Sequence, residues 1–184
     1  FVHRCQVVNG EVKVGDYAFA QIDTARRAQI RVHHTSAHLL QAALIKVLGD
    51  EVKQAGSQVE ENRMRFDFTF SRAMTPQEVK KTEDIMNKWI GEKLPVNTDV
   101  MGIEEAKLTG ATALFGEKYE DVVRVVSIGG KAKCNCGSDC SCDHESGEEK
   151  EVISKEFCAG THASNTADLR LSLIHISEPT RRRG

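Results

Sequence analysis

Hydrophobic positions along the chain change period several times, and each change predicts an element. The first stretch, to about residue 23, alternates weakly, with Val7-Val8 and Val12 to Val14 on either side of Asn9-Gly10. Asn-Gly between apolar arms is the strongest short hairpin signal, because both positions tolerate the positive φ of a type I′ turn. This stretch reads as the last strands of a β unit. Over 34–48 the spacing becomes helical: Leu40, Leu44, Val47 and Leu48 fall at i, i+4, i+7 and i+8, and Gly49 suits a helix stop. An apolar segment over 52–59 comes next. Then Met64, Phe66, Phe68 and Phe70 alternate with Arg65, Asp67 and Thr69, as in a half-buried strand.

Thr75-Pro76-Gln77-Glu78 combines an N-cap, a proline at the first helical position and a capping-box glutamate. The helix it opens runs to Ile90, with Val79, Met86 and Trp89 inward and Gly91 as its stop. Strands are expected over 94–101 and 121–128, with a short helix over 103–108 between them. Elements mixed in this order predict an α+β fold, a mixed or antiparallel sheet with helices on one face. Residues 129–151 carry Gly, Ser, Cys and acidic side chains with almost no apolar content, so they read as a loop or insertion, and order resumes at Val152.

Both ends call for separate treatment. The run LSLIHISEPTR over 171–181 resembles a conceptual translation of a sequencing adapter, so 172–184 is expected to be a non-native tail rather than a genuine short strand or helix. The chain opens on Phe1 instead of methionine and is expected to be a piece of a longer protein.

Composition adds mainly exclusions. A net charge of −2 over 184 residues supplies no general attraction for nucleic acid. Any RNA contact would come from a local patch, for which Arg26, Arg27 and Arg31 are the candidates; a solvated charged edge is the plain alternative. No apolar run approaches the roughly 20 residues needed to cross a bilayer, and no secretory signal pattern opens the chain, so a cytoplasmic protein without membrane contact is expected.

Chemistry concentrates in two pairs. His34 and His38 lie at i, i+4 and project from one helix face, while Cys158 and His162 form C-x-x-x-H. Three imidazoles and a thiolate are a ligand set that zinc prefers. Clustered cysteines in a chain without a secretory signal favour metal over disulfides. Cys134, Cys136, Cys140, Cys142 and His144 sit within the insertion and either hold a second thiophilic metal or form a loop whose thiols bind nothing.

The block His34-Thr35-Ser36-Ala37-His38-Leu39-Leu40 resembles the H-x-x-x-H-L-L opening of the editing domain shared by alanyl- and threonyl-tRNA synthetases. Cys158-Ala159-Gly160-Thr161-His162 is similar to that family's C-G-G-T-H. Gln54-Ala55-Gly56-Ser57, Arg65-Phe66-Asp67-Phe68 and the block from Ala113 to Tyr119 look like the alanyl branch in particular. The resemblance implies the family's second additional domain over 25–171, interrupted by the insertion 129–151 and preceded over 1–24 by the end of a small β-barrel. It implies Zn2+ on His34, His38, Cys158 and His162, Gln54 in the editing pocket, and Gln54 and Thr35 as candidate catalytic residues. The implied activity is hydrolysis of seryl- or glycyl-tRNA(Ala), with the ATP-dependent aminoacylation site upstream. Such a step answers a selectivity limit, because a pocket for alanine rejects an added hydroxyl by only about 10²-fold. A free-standing editing hydrolase and a zinc-stabilised tRNA-binding module without catalysis are the competing readings.

The chain departs from the family pattern at three positions. His33 stands where asparagine is usual, Ala37 where threonine is usual, and Ala159 in place of a glycine. The second removes a hydroxyl that would read serine, unless Thr35 or Ser36 substitutes. The third is costly wherever φ must be positive.

Overall fold

The structure is a computed structural model and describes residues 2–113, 119–132 and 150–169. The cysteines of the insertion, His144, most of the Ala113 to Tyr119 block and the 172–184 tail lie outside the described residues. Elements follow in the order α1 (Thr24–Leu48), β1 (Lys53–Val59), β2 (Met64–Thr69), α2 (Pro76–Gly91), β3 (Val96–Gly102), α3 (Ile103–Leu108), β4 (Val122–Gly130) and β5 (Lys150–Phe157), with a 3-10 turn at Thr166–Asp168.

Helix α1 begins well before His34. Asp23 is its N-cap and accepts a hydrogen bond from the Arg26 amide at 2.9 Å, satisfying one of the donors that a helix start leaves orphaned. The first turns carry no apolar stripe, so only the cap could have revealed them. Helix α2 starts as its sequence dictates: the Thr75 side chain accepts from the Glu78 amide while the Glu78 carboxylate accepts from the Thr75 amide.

The hairpin expected around Asn9-Gly10 is not formed; residues 2–23 contain no strand, and Gly10 sits in a bend at φ +77°. A two-stranded hairpin is marginal unless one face packs on something. Val8, Val14, Tyr17 and Phe19 are all at least 90% exposed, so no packed face supports a ladder.

Two antiparallel sheets form, a β1–β2 hairpin and a three-stranded sheet in the order β3-β4-β5. Alternation along β4 divides the core. Val126 and Ile128 face the main cluster, where α1 contributes Leu39, Leu40, Ala43 and Leu44 and α2 contributes Met86, Trp89 and Ile90. Val123 and Val125 point the other way, toward Phe157 and Ala106 of the short α3. The two long helices thus share one sheet face, and the smaller helix lies against the opposite one. Leu39 and Ile128 are fully buried, and each such aliphatic side chain contributes about 1.5–3 kcal/mol by leaving water.

The segment after β5 is tied down through Thr166, which is fully buried. Its hydroxyl accepts from the Leu94 amide at 2.8 Å and donates to the Trp89 carbonyl at 2.9 Å. This bridge fixes the chain that leaves the site against the end of α2. Thr166→Val keeps the volume but strands a buried amide, so urea unfolding should show a loss of about 1–3 kcal/mol. A loss within about 0.5 kcal/mol, the range of ordinary surface changes, would mean that the bridge carries little.

Candidate metal centre

His34, Ala37, His38 and Gln41 fall at i, i+3, i+4 and i+7 of α1 and line one small cavity. Cys158 follows directly on β5, where its amide continues the ladder by donating to the Arg124 carbonyl at 3.0 Å. The ligand-bearing loop is further held by the Arg124 guanidinium, which donates to the carbonyls of Ala159 (2.8 Å) and Gly160 (3.0 Å). Those contacts bring the two pairs together: one donor atom from each of His34, His38, Cys158 and His162 lies within 4.8 Å of the others. The Cys158 sulfur is 3.5 Å from His34 Nε2 and 3.3 Å from His162 Nε2. Three imidazoles and a thiol converging in this way fit a tetrahedral zinc-type site.

A glycine makes the convergence possible. A Cβ on Gly160 would lie 2.0 Å from His34 Cε1 and 2.5 Å from its Nδ1, so any side chain there displaces the ring. At the other family glycine no positive φ is required. Lys93 is the one described non-glycine residue at positive φ, so Ala159 carries no left-handed strain.

Electrostatics within the cluster are strongly coupled. Burial, which favours the neutral thiol, is outweighed at Cys158 by contacts from His162, His34 and His38, and its pKa falls to about 3. Burial also opposes charge on His38, but Cys158 and Glu156 together outweigh it and raise the imidazole to about 9. His162 is lowered, mainly by burial, with Cys158 opposing and the neighbouring histidines adding to the fall. Glu156 is buried, and Ser154 Oγ donates to its Oε1 at 2.9 Å. Its Oε2 stands 2.9 Å from His38 Nδ1, an ion-pair distance, yet off the line a hydrogen bond requires. Sequence reading missed Glu156; its signal was the period of two that puts residues 156 and 158 on one face of a strand entering the Cys158 loop.

Opposite the donors, β1 supplies Gln54 and Ser57. Residues three apart on a regular strand face opposite sides. Here the pairing shifts between Gln54 and Gly56, so Ala55 is an extra residue and Gln54 and Ser57 pair with Phe68 and Phe66 on one face. The cavity is small, about 50 Å³. A wider, open depression of about 380 Å³ over the start of α2, lined by Pro76, Gln77, Lys80, Lys81 and Asp84, offers no metal donor set.

Other candidate residues are placed less centrally. Thr35 is fully buried beside the ligands and does not line the cavity. The Ser36 hydroxyl donates back to the Val32 carbonyl at 2.9 Å, so neither neighbour takes the place of a hydroxyl at Ala37. His33 Nδ1 bonds the Glu60 carbonyl at 2.7 Å and ties α1 to the β1–β2 turn. Of the three arginines, Arg26 pairs with Glu61 at 2.8 Å and Arg31 donates to Thr161 Oγ1 at 2.9 Å, while Arg27 is half-buried on the first turns of α1.

Comparison with known proteins decides the relationship. The chain is 46% identical over 178 residues to an alanine–tRNA ligase of Synechococcus sp. (strain JA-3-3Ab), a match covering 97% of this chain. The chain is related to a segment of alanine–tRNA ligase. It spans 18% of the length of that ligase. No family model matches the chain. Among the described residues, no helix is long and apolar enough to cross a membrane.

Two outcomes test the centre. Gly160→Ala should lose stoichiometric zinc, measured by chelator competition, while its circular dichroism stays that of the parent; full zinc retention would show that His34 is not a ligand. Metal must also displace the proton that His38 holds up to about pH 9. Zinc affinity should therefore rise with pH, by up to about tenfold per unit, and level off above 9, with the already ionised Cys158 contributing nothing to the slope. A flat profile between pH 6 and 8 would contradict this coupling.

Proposed function

We propose that this chain is the editing part of an alanine–tRNA ligase, a zinc-dependent esterase that hydrolyses tRNA(Ala) charged with serine or glycine. The carrying observation is the convergence of four metal donors, of which His34, His38 and Cys158 line a cavity too small for more than a short side chain. The opposite wall presents neutral hydrogen-bonding groups from Gln54 and Ser57, and Gln41 adds another from the α1 side. Such amides and hydroxyls bind and orient a small uncharged side chain by hydrogen bonding. By the same relation, tRNA(Ala) is the partner, ATP belongs to the ligase as a whole, and the compartment is the cytoplasm.

His34, His38, Cys158 and His162 would hold the metal. Bound zinc supplies Lewis acidity toward a carbonyl or a lowered pKa for a water. With all four protein donors holding it, the metal would have an orienting role, and the surrounding side chains would set the hydrolytic geometry. Gln54, which lines the same cavity, would hold the acyl group against the cluster. Ala37 lines the cavity directly, so the missing hydroxyl of the family threonine is missing where a serine side chain would lie.

Deacylation of purified seryl-tRNA(Ala) and alanyl-tRNA(Ala) tests the reading. The zinc-loaded chain should release serine faster than alanine, and chelation should stop it. Ala37→Thr should raise the serine-to-alanine rate ratio about 2- to 12-fold, the equivalent of one net hydrogen bond. Tight tRNA binding with no release of either amino acid at full zinc occupancy would favour a non-catalytic tRNA-binding module. An unchanged ratio in Ala37→Thr would show that this position does not read the hydroxyl.

A further inference from the structure

Thr35 sits between the two ligand pairs, and its hydroxyl has more partners than a surface threonine needs. Oγ1 donates to the Arg31 carbonyl at 3.0 Å, accepts from the Ala163 amide at 3.0 Å and lies 3.2 Å from His162 Nδ1. A hydroxyl has one proton and two lone pairs. A backbone amide can only donate and a carbonyl can only accept, so these two partners take one lone pair and the proton. The remaining lone pair faces His162 Nδ1. On the other side of the same ring, Nε2 points at the Cys158 sulfur, 3.3 Å away, where the donors converge.

We propose that Thr35 is a positioning residue that holds His162 as its Nδ1–H tautomer and so leaves the Nε2 lone pair free for the metal. This rests on the metal reading given above. A neutral imidazole that ligates through Nε2 carries its proton on Nδ1, and a proton in a buried site needs an acceptor. Thr35 provides that acceptor, and its amide partner is Ala163, the residue directly after His162. One hydroxyl therefore fixes both the ring and the backbone that carries it, which is the outer-partner arrangement that orients metal-bound histidines. Thr35 acts from behind the ligand, and the acyl group is read by the cavity side chains instead.

The test uses the whole chain with zinc alone as the probe. Long-range nitrogen–proton NMR of the zinc-loaded protein should show His162 protonated at Nδ1 and metal-bound at Nε2. Thr35→Val should weaken zinc about 10- to 100-fold in chelator competition. Thr35→Ser, which keeps the hydroxyl, should stay near the parent. Thr82→Val is the control for simple destabilisation, because Thr82 is equally buried and back-bonds the Glu78 carbonyl at 2.8 Å without touching a ligand. It should lose stability and keep zinc affinity. Parent-like affinity in Thr35→Val, an equal loss in Thr82→Val, or zinc on His162 Nδ1 would each overturn the proposal. Should Thr35→Val fail to fold, the tautomer of the parent and the behaviour of Thr35→Ser still decide it. Failure of the parent itself to bind zinc would defeat the metal reading, a result distinct from these.

Discussion

The structure depends on the docking of the Cys158 to Ala163 loop onto the middle of α1. Two segments more than a hundred positions apart in sequence must meet to within hydrogen-bonding distance, and the contact is polar on both sides: Thr35 to Ala163, Arg31 to Thr161, and His34 over Gly160. Each is satisfied only if the helix and the end of β5 hold one rotation and one height relative to each other. The apolar core supplies that rigidity. Leu39 and Ala43 on the neighbouring helix face are fully buried against the same sheet whose last strand carries Glu156 and leads into Cys158.

What is assembled there is a set of groups that hold one another's charge. Burial works against the charge on both Cys158 and His38, and only their mutual contacts, with Glu156, keep that charge in place. An ionised thiol packed beside three imidazoles makes a site whose donors converge, and a divalent cation would take the place of the His38 proton as counter-charge to Cys158. The cavity wall opposite is neutral by contrast. A bulge at Ala55 turns Gln54 and Ser57 inward together. The donor cluster comes from α1 and the end of β5 and the neutral wall from the β1–β2 hairpin, so the two can vary independently.

Much of this was legible from residues alone where a local rule decides the outcome. The capping box at Thr75, the alternating Met64 to Thr69 strand and the short helix at Ile103–Leu108 are set by contacts within a few positions, and they stand where the pattern puts them. The start of α1 was missed because its first turns carry no apolar stripe, leaving Asp23 as the sole marker. Asn9-Gly10 misled in the opposite sense, since a turn signal specifies a hairpin only when its arms have a surface to bury.

The metal donors were identifiable because i, i+4 and C-x-x-x-H spacings are local geometry, and four soft ligands in two such pairs have few other uses. Glu156 and the joint use of Gln54 and Ser57 depend instead on strand register and on a bulge, neither of which is written in neighbouring residues. The role of Thr35 belongs there too. The family resemblance made it a candidate catalytic residue; the tertiary structure buries it and sets its hydroxyl against His162 and the Ala163 amide. By itself, then, the sequence determined which side chains can bind metal and which segments are helix or strand. Which of their neighbours orient the ligands and which face the cavity was decided only when the sheet face and the helix face met.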